Sequence, residues 1–419
     1  MEGLILGIDL CDDYSQISCF SSRMTEPEPV YYQPEDENKK ENVLIPMVVC
    51  KKKGKDEWLI GEEACRTALF NDGTTVDKLV KMIHDDKFAT IEGVRYSAGE
   101  LMRRYLEKLL LLPKEKYGTD EICSVVFTVQ TLDGRFIDCL VRTAEECGID
   151  RSAVHVVSHT ESFVYHTISQ KKEVWANLTS LFDLTDEGLH YYEMKVIRGC
   201  VPQMIEASHE KMQEGFRLDV LDNPNGARLG DTILTSCADR MLHKKVVSAV
   251  LLSGRVWAPD FKKAVCTRRK VYYVPQIFAI GAAYLAYDAL QETSAYPFIC
   301  SCEGRISSTV SLQAVYEGRK EQVILASAGS NWYEARSSID LIPDDMAELE
   351  FTITPAGSRR VENVNISLAE LPKRPNKTTR IEVIVSFSSE KCMTVRVVDL
   401  GFGDLYPASD TVIRRDIYI

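Results

Sequence analysis

A β-hairpin pattern with an acidic turn occurs twice in the chain, and this repeat constrains the fold more than any other feature of the sequence. In residues 4–20, an apolar run leads into Cys-Asp-Asp and then into alternating residues, the pattern of a half-buried hairpin. Residues 180–196 repeat this order, with Thr-Asp-Glu-Gly as the turn. Asp9 and Asp183 occupy the same place in the two copies, each between two apolar residues. The chain is therefore predicted to contain an internal duplication.

Strands and helices alternate after each hairpin, as they do in parallel βαβ units. In the first half, residues 122–129 are predicted to form a buried strand, residues 133–147 a helix that Gly148 stops, and residues 154–158 the next strand. An additional helix is predicted at residues 98–112. The second half has its predicted elements in the same order: strand 246–252, helix 259–266, strand 271–274 and helix 276–290.

The pattern changes after residue 290, where short alternating stretches separated by Gly, Pro, Asn and Asp replace the helices. In residues 380–387, every second residue is apolar and would lie on one face of a strand. This pattern is typical of a β-sandwich. Since 419 residues exceed the ~250–300 that one hydrophobic core can serve, two domains are expected. We place them at residues 1–292, with lobes at about 1–170 and 171–292, and at residues 295–419.

Charge and cysteine usage exclude several classes of function. The net charge of −12 would repel nucleic acid, so no nucleic-acid partner is expected. The most apolar stretch, residues 274–287, is too short for a membrane span. Thirteen scattered cysteines without zinc-finger spacing, and a start without a signal-peptide pattern, predict a cytoplasmic protein with free thiols. The Pro-rich, acidic residues 26–42 are predicted to form a solvated loop.

Short motifs add detail to this organisation. Three of them are Leu-Gly-Ile-Asp-Leu at residues 6–10, the second hairpin, and Leu-Leu-Ser-Gly-Arg at residues 251–255. The remaining motifs, in chain order, are residues 44–49, 59–64, 160–162, 279–283, 380–387 and 395–399. Their order resembles that of the DnaK-type (seventy-kilodalton heat-shock) chaperones, whose ATPase domain shares its fold with actin. The resemblance implies that the first two are phosphate motifs and that the third is an adenosine motif. The resemblance implies an α/β fold: a duplicated ribonuclease-H-like, two-lobed ATPase domain followed by a C-terminal β-sandwich that binds extended peptides.

The resemblance also implies positions for a nucleotide site, with ATP and Mg²⁺ as cofactors if the cleft is functional. The catalytic candidates are Asp9, Lys78, Glu161 and Asp183. The candidates for cofactor binding are Gly7, Asp9, Cys11, Asp12, Asp13, Thr185, Asp186, Gly188, Ser253, Gly254, Arg255 and Gly281. Three of these residues have simpler interpretations, because Asp9 could be a buried hairpin carboxylate, Lys78 a surface lysine and Glu161 an acid at a helix N-terminus.

The chain departs from the family at the positions that matter for ATP. Cys-Asp-Asp at residues 11–13 and Thr-Asp-Glu at residues 185–187 replace the glycine- and threonine-rich turns that cradle phosphates. Each such carboxylate would repel a phosphate oxygen by about 4 kcal/mol at 4 Å and an effective dielectric of 20. His190 stands where the family has an aspartate that orients water. The short span between the second hairpin and residue 246 leaves no room for the family's adenine-clamping lobe, and residues 291–296 lack its linker.

Two metal sites are alternatives. Asp9, Asp12 and Asp13 together could hold Mg²⁺ or Ca²⁺, since hard cations prefer clustered carboxylates. His155, His159 and His166 could bind zinc, but a strand followed by a helix would not project them onto one face.

Three functions follow from these observations. The leading one is a catalytically degenerate DnaK- and actin-like protein that binds a protein or an extended peptide through the cleft, the sandwich or both. The first alternative is an active, divergent ATP-dependent chaperone in which a metal ion offsets the turn acids. The second is an actin-like cell-shape or scaffold protein. The sequence leaves the partner and the oligomeric state open.

Overall fold

A computed structural model describes residues 3–21, 24–31, 43–119, 121–186, 188–199, 201–213, 224–254, 261, 265, 269–358 and 360–419. The chain divides into two compact units, Met1–Val196 with Ala207–Tyr296 and Ile197–Glu206 with Pro297–Ile419. The sequence assigned residues 197–206 to the first domain, whereas the structure assigns them to the second unit. The predicted loop at residues 26–42 and the predicted helix at residues 259–266 lie largely outside the described residues. No helix among the described residues is long and apolar enough to cross a membrane.

The first unit combines strands with helices that cover them. Its strands are β1 (Leu4–Leu10), β2 (Tyr14–Phe20), β3 (Glu28–Pro29), β4 (Ile45–Pro46), β5 (Val48–Lys52), β6 (Trp58–Ile60), β7 (Gly73–Asp77), β8 (Phe88–Ile91), β9 (Val94–Ser97), β10 (Ile122–Val129), β11 (Val154–Ser158), β12 (Leu178–Thr185), β13 (Gly188–Ile197), β14 (Gln203–Lys211), β15 (Val247–Gly254) and β16 (Lys270–Tyr273). Its helices are α1 (Gly61–Leu69), α2 (Leu79–His84), α3 (Ala98–Leu109), α4 (Leu111–Tyr117), α5 (Gly134–Glu146), α6 (His159–Ile168), α7 (Pro224–Leu242) and α8 (Ile277–Ala289), with a 3-10 turn at Arg151–Ala153.

Two sheets of this unit have the same strand order. The first runs β11-β10-β1-β2-β3, with β4 also paired to β2, and the second contains β16-β15-β12-β13-β14. In the first sheet β1 is parallel to β10 and antiparallel to β2, and β10 is parallel to β11. In the second sheet β12 is likewise parallel to β15 and antiparallel to β13, and β15 is parallel to β16. Each hairpin therefore lies in the same place in its own sheet.

Local signals define the helices. The Asp133 side chain accepts hydrogen bonds from the backbone N–H groups of Arg135 and Phe136 at 2.9 and 3.1 Å, which caps α5. Gly148, which follows the end of α5, has a φ of +86°, a conformation that glycine adopts without strain. The helix predicted at residues 133–147 is thus confirmed. The helix predicted at residues 98–112 is two helices, because α3 ends at Leu109 and α4 begins at Leu111.

The helix α8 follows the second sheet in the chain but packs on the first, and two glycines allow this. A Cβ atom on Gly7 of β1 would lie 2.1 Å from the carbonyl oxygen of Ala279 in α8. A Cβ atom on Gly281 would lie 1.9 Å from the carbonyl oxygen of Ser162 in α6. The helix α6 follows the first sheet and contacts the second, because the ring centroid of Phe163 lies 6.2 Å from that of Tyr192 in β13. Gly7 and Gly281, expected at a cofactor, instead let backbones pack together.

The second unit is built from β strands. They are β17 (Phe298–Ser301), β18 (Ser308–Tyr316), β19 (Arg319–Ala326), β20 (Ser337–Leu341), β21 (Glu348–Pro355), β22 (Glu362–Ser367), β23 (Arg380–Ser389), β24 (Cys392–Gly401) and β25 (Val412–Tyr418). Residues 203–206 of β14 pair in parallel with β17, which explains why residues 197–206 belong to this unit. The other strands form two four-stranded sheets, β19-β18-β21-β22 and β20-β23-β24-β25. The alternation predicted in β23 is confirmed, because Ile381, Val383, Val385 and Phe387 are buried in a common core with Val310, Phe351 and Val395.

Replacing Gly281 with alanine is expected to lower the free energy of unfolding by about 3 kcal/mol, because the new Cβ would overlap the backbone of α6. The matched control is Gly99→Ala in α3, where the nearest atom to a new Cβ is the Cys139 sulfur at 3.5 Å. Gly99→Ala should leave the free energy of unfolding unchanged or raise it by up to about 1 kcal/mol. Denaturant unfolding of both variants measures the difference. Equal stabilities of the two variants would contradict the close packing of α6 and α8.

Candidate functional site

The turns of the two hairpins lie beside one cavity of about 180 Å³. The cavity lies where β1, β10 and β12 end, the edge at which ligands bind in many open α/β sheets. The loops that follow these strands, together with residues of α2, α6 and β13, complete its wall. The residues that line it are Leu10, Cys11, Asp12, Asp13, Tyr14, Val80, His84, Val129, Gln130, Thr131, His159, Asp183, Thr185, Asp186, His190 and Tyr192. None of these described lining residues is a lysine or an arginine.

Asp9 and His159 form a buried pair beside this cavity. The His159 Nε2 atom lies 2.8 Å from Asp9 Oδ1, and the two side chains are 5% and 1% exposed. Asp9 is held by β1, between its neighbours in β2 and β10, and His159 is the first residue of α6. The His159 ring also stacks on Phe278 of α8, with ring centroids 4.1 Å apart and planes at 6°. Sheet and helices thus hold the pair in one geometry.

Asp183 is the counterpart of Asp9 in the second hairpin, and it lies in the wall of the same cavity. Burial raises the pKa of Asp183 to about 6, and the nearby charge of Asp9 acts in the same direction. His159 and a hydrogen bond from the Ser253 hydroxyl lower this pKa and offset part of the effect. Ionising the Asp183 carboxyl group therefore costs more free energy in the folded protein than in the unfolded chain.

Cys11 follows β1 directly, and its Sγ lies 3.6 Å from Asp9 Oδ1. Burial raises the pKa of the Cys11 thiol well above its usual value, and the charges of Asp9 and Asp183 raise it further. The thiol is therefore protonated at neutral pH. One ligand atom from each of Asp9, Cys11 and His159 lies within 4.8 Å of the others.

The turn acids Asp12 and Asp13 are used within the protein. Asp13 forms an ion pair with Lys78, which precedes α2 and has a φ of +56°. Asp12 Oδ1 accepts a hydrogen bond of 2.8 Å from the backbone N–H of Lys81, in the first turn of α2. Asp12 and Asp13 therefore anchor the turn to α2, and they do not join Asp9 in the hard-cation site that the sequence suggested. Lys78 is bound to Asp13 and does not line the cavity.

The remaining predicted residues have mixed outcomes. Glu161 is fully buried in the first turn of α6 and does not line the cavity, in line with its simpler interpretation as a helix N-terminal acid. Gly254 has a φ of +80° and a Cβ there would lie 2.1 Å from the carbonyl oxygen of Leu184, so its close neighbour is backbone. Thr185 and Asp186 line the cavity, and Gly188 has a φ of +120° at the end of the turn. Arg255 and Glu187 lie outside the described residues.

A second polar group, which the sequence did not reveal, surrounds His190. The His190 Nδ1 atom lies 3.0 Å from Gln130 Nε2 and 2.9 Å from His209 Nε2. The His209 ring stacks on Tyr192 with centroids 4.5 Å apart. Burial lowers the pKa of His190 to about 3 and that of His209 to about 4, so both rings are neutral at physiological pH. His190 therefore supplies no anion and no cation to the cavity.

Family comparisons assign both parts of the chain to domains whose functions are unknown. Residues 31–303, more than half of the chain, match the model described as the C-terminal part of the family of unknown function DUF5716. Residues 305–419 match a domain of unknown function, DUF8552. A search of curated proteins finds no match. The cavity must therefore be interpreted from its own residues.

Asp183→Asn is expected to change the pH dependence of stability. Because the pKa of Asp183 rises from 3.8 to about 6 on folding, the folded state keeps a proton that the unfolded chain releases, and stability falls as the pH rises through 6. Asp183→Asn has no carboxyl group to titrate at this position, so its stability does not fall for this reason. Relative to the unmodified protein, it should therefore gain about 1–2 kcal/mol in free energy of unfolding between pH 5 and pH 8.

Denaturant unfolding at the two pH values measures this gain, with Asp138→Asn, an exposed aspartate of α5, as the control. Equal pH dependence in the unmodified protein and in Asp183→Asn would mean that the buried carboxylate is already ionised at pH 5.

Proposed function

The chain belongs to the family of unknown function DUF5716, and because this membership assigns no activity, we propose from the cavity itself that the protein is a catalytically degenerate DnaK- and actin-like protein. In this proposal it acts in the cytoplasm as a protein- or peptide-binding module. The observation that carries the proposal is the buried Asp9–His159 pair, which joins a sheet to a helix at the place where a nucleotide's phosphates would bind.

The strand order supports the superfamily. Two sheets with the same order and the same strand directions, each beginning with a hairpin, are what a duplicated ribonuclease-H-like fold requires. The positions of α6 and α8 support a common origin of the two lobes. Each helix follows one sheet in the chain and contacts the other sheet.

The cavity disfavours ATP for three physical reasons. Its volume of about 180 Å³ is below the ~300 Å³ of the smallest usual ligand pockets. Its described wall contains Asp12, Asp13, Asp183 and Asp186 and no lysine or arginine, so a triphosphate would meet like charge. His159 already binds Asp9, the residue expected to hold a metal-bound water.

Calorimetric titration with ATP, with and without Mg²⁺, should show no binding up to millimolar nucleotide, and no hydrolysis above background should be detected. Mg²⁺-dependent hydrolysis that is lost in Asp9→Asn and kept in Asp56→Asn, an exposed control, would instead support the active ATPase.

The sandwich offers the surface for a partner. A cavity of about 500 Å³ lies beside β19, an edge strand of its sheet. Ile324 of β19 is 60% exposed and lines this cavity, together with the loop of residues 327–336. Extended peptides bind exposed strand edges through backbone hydrogen bonds and neighbouring apolar pockets. This edge is therefore the proposed peptide-binding surface.

A labelled, leucine-rich heptapeptide should bind the full chain with a Kd of ~10 μM or weaker, and ATP should not change the affinity. Ile324→Lys should weaken binding about tenfold, whereas Ile342→Lys, which is 51% exposed and outside this cavity, should not. Fluorescence anisotropy measures both. Equal affinities for the two variants would place the peptide elsewhere, and an absence of binding would remove the peptide-binding role.

A further inference from the structure

Asp9, Cys11 and His159 bring together an oxygen, a sulfur and a nitrogen ligand. Among the described residues, their ligand atoms form a cluster of metal-ligand type within 4.8 Å. The Cys11 Sγ to Asp9 Oδ1 distance is 3.6 Å, and the His159 Nε2 to Asp9 Oδ1 distance is 2.8 Å. Ligands bonded tetrahedrally to one zinc ion at 2.0–2.3 Å are ~3.3–3.6 Å apart. The sulfur and oxygen are already at that spacing, the nitrogen–oxygen distance would have to lengthen by about half an ångström, and the sulfur–nitrogen distance lies within 4.8 Å.

Rigid elements carry these three ligands. Asp9 lies in the central strand β1, and the backbone N–H of Cys11 donates to the carbonyl of Tyr14 at 2.9 Å across the hairpin turn. His159 is fixed in the first turn of α6 by its stacking on Phe278. A metal site needs ligands whose positions are set before the ion arrives, and this arrangement provides them.

The charges around the cluster favour a cation. Asp9 and Asp183 are both buried, and their mutual repulsion contributes to the raised pKa of Asp183. The described residues that line the cavity include no lysine or arginine to offset them. A divalent ion bound to Asp9 would neutralise this excess of negative charge.

The donor set selects among ions. Mg²⁺ and Ca²⁺ prefer oxygen ligands, whereas thiolate and imidazole suit zinc and related transition metals. Three protein ligands leave one tetrahedral position free, and two of the ligands, Cys11 and His159, line the cavity of about 180 Å³. We propose that Asp9, Cys11 and His159 form a zinc-type site with its fourth position open to water or to a small ligand.

Metal binding at this site has a defined proton balance. Cys11 binds as the thiolate and releases one proton to solvent. His159 binds through Nε2, and its ring proton is carried on Nδ1. No electron is transferred. The metal site does not depend on peptide binding by the sandwich. If the metal proposal is wrong, the metal spectra will show it. If the proposed function is wrong, ATP will bind or no partner will be found.

Cobalt tests the site, because Co²⁺ takes zinc's geometry and is coloured. The full-length protein, stripped of metal with a chelator and kept reduced, is titrated with Co²⁺. We expect one Co²⁺ per chain, with the intense visible bands of tetrahedral cobalt and a thiolate-to-cobalt charge-transfer band in the near ultraviolet. Equimolar Zn²⁺ should remove both signals.

Two variants locate the ion. Cys11→Ser should abolish the charge-transfer band and weaken binding at least tenfold, with circular dichroism confirming that it is folded. The double variant Cys300→Ser with Cys302→Ser removes two thiols outside the site, whose sulfurs lie 3.4 Å apart, and should keep the full spectrum. The absence of a tetrahedral spectrum, its persistence in Cys11→Ser or its loss in the double variant would each overturn the proposal.

Discussion

The contact between the backbones of β1, α8 and α6 determines where everything else in the first unit lies. Gly7 and Gly281 have no side chain at points where a Cβ would be 2.1 and 1.9 Å from a neighbouring carbonyl oxygen. Because α8 follows one sheet and packs on the other, this contact sets the distance between the sheets. The two hairpins consequently end at the same cavity, and Asp9 and Asp183 come close enough for each charge to affect the other. The site is therefore a consequence of packing between helices and sheet, since these carboxylates are 174 residues apart in the chain.

Asp9 and Asp183 are both buried and each charge affects the other, so the neighbouring residues must stabilise these carboxylates. His159 hydrogen-bonds to Asp9, and the Ser253 hydroxyl donates to Asp183. The acids of the first turn are directed away from this pair, towards Lys78 and the N-terminus of α2. Asp12 and Asp13 nevertheless line the cavity, so the expectation that they repel a phosphate stays a prediction. Their contacts with α2 and Lys78 offset part of their charge, and the buried Asp9 and Asp183 add to the negative charge near the cavity.

Periodicity predicted many of the strands and helices, because that information is local, but α7 was not predicted. β1, β2, β10 and β11 begin and end at the predicted residues, and α5 and α8 are within one residue of prediction at each end. The partners of the site residues are not local. Nothing near Asp9 in the sequence indicates that His159 is its partner. The sequence suggests His159 only as a zinc ligand together with His155 and His166. The grouping of residues 197–206 with the second unit is not local either, because β17, which pairs with residues 203–206, lies about 100 residues further along the chain.

The two sheets of the first unit share a strand order, but the residues that they bring to the cavity differ in chemistry. The helix after the first pair of parallel strands begins with Ser158 as its cap and His159 as its first residue. The corresponding helix in the second half, α8, begins at Ile277 without a side-chain cap and presents Phe278 to the His159 ring. Asp9 therefore receives an imidazole, whereas Asp183 receives the Ser253 hydroxyl. In the proposed metal site, β1, its turn and α6 supply the three ligands, and α8 supplies the aromatic ring that holds the imidazole in place.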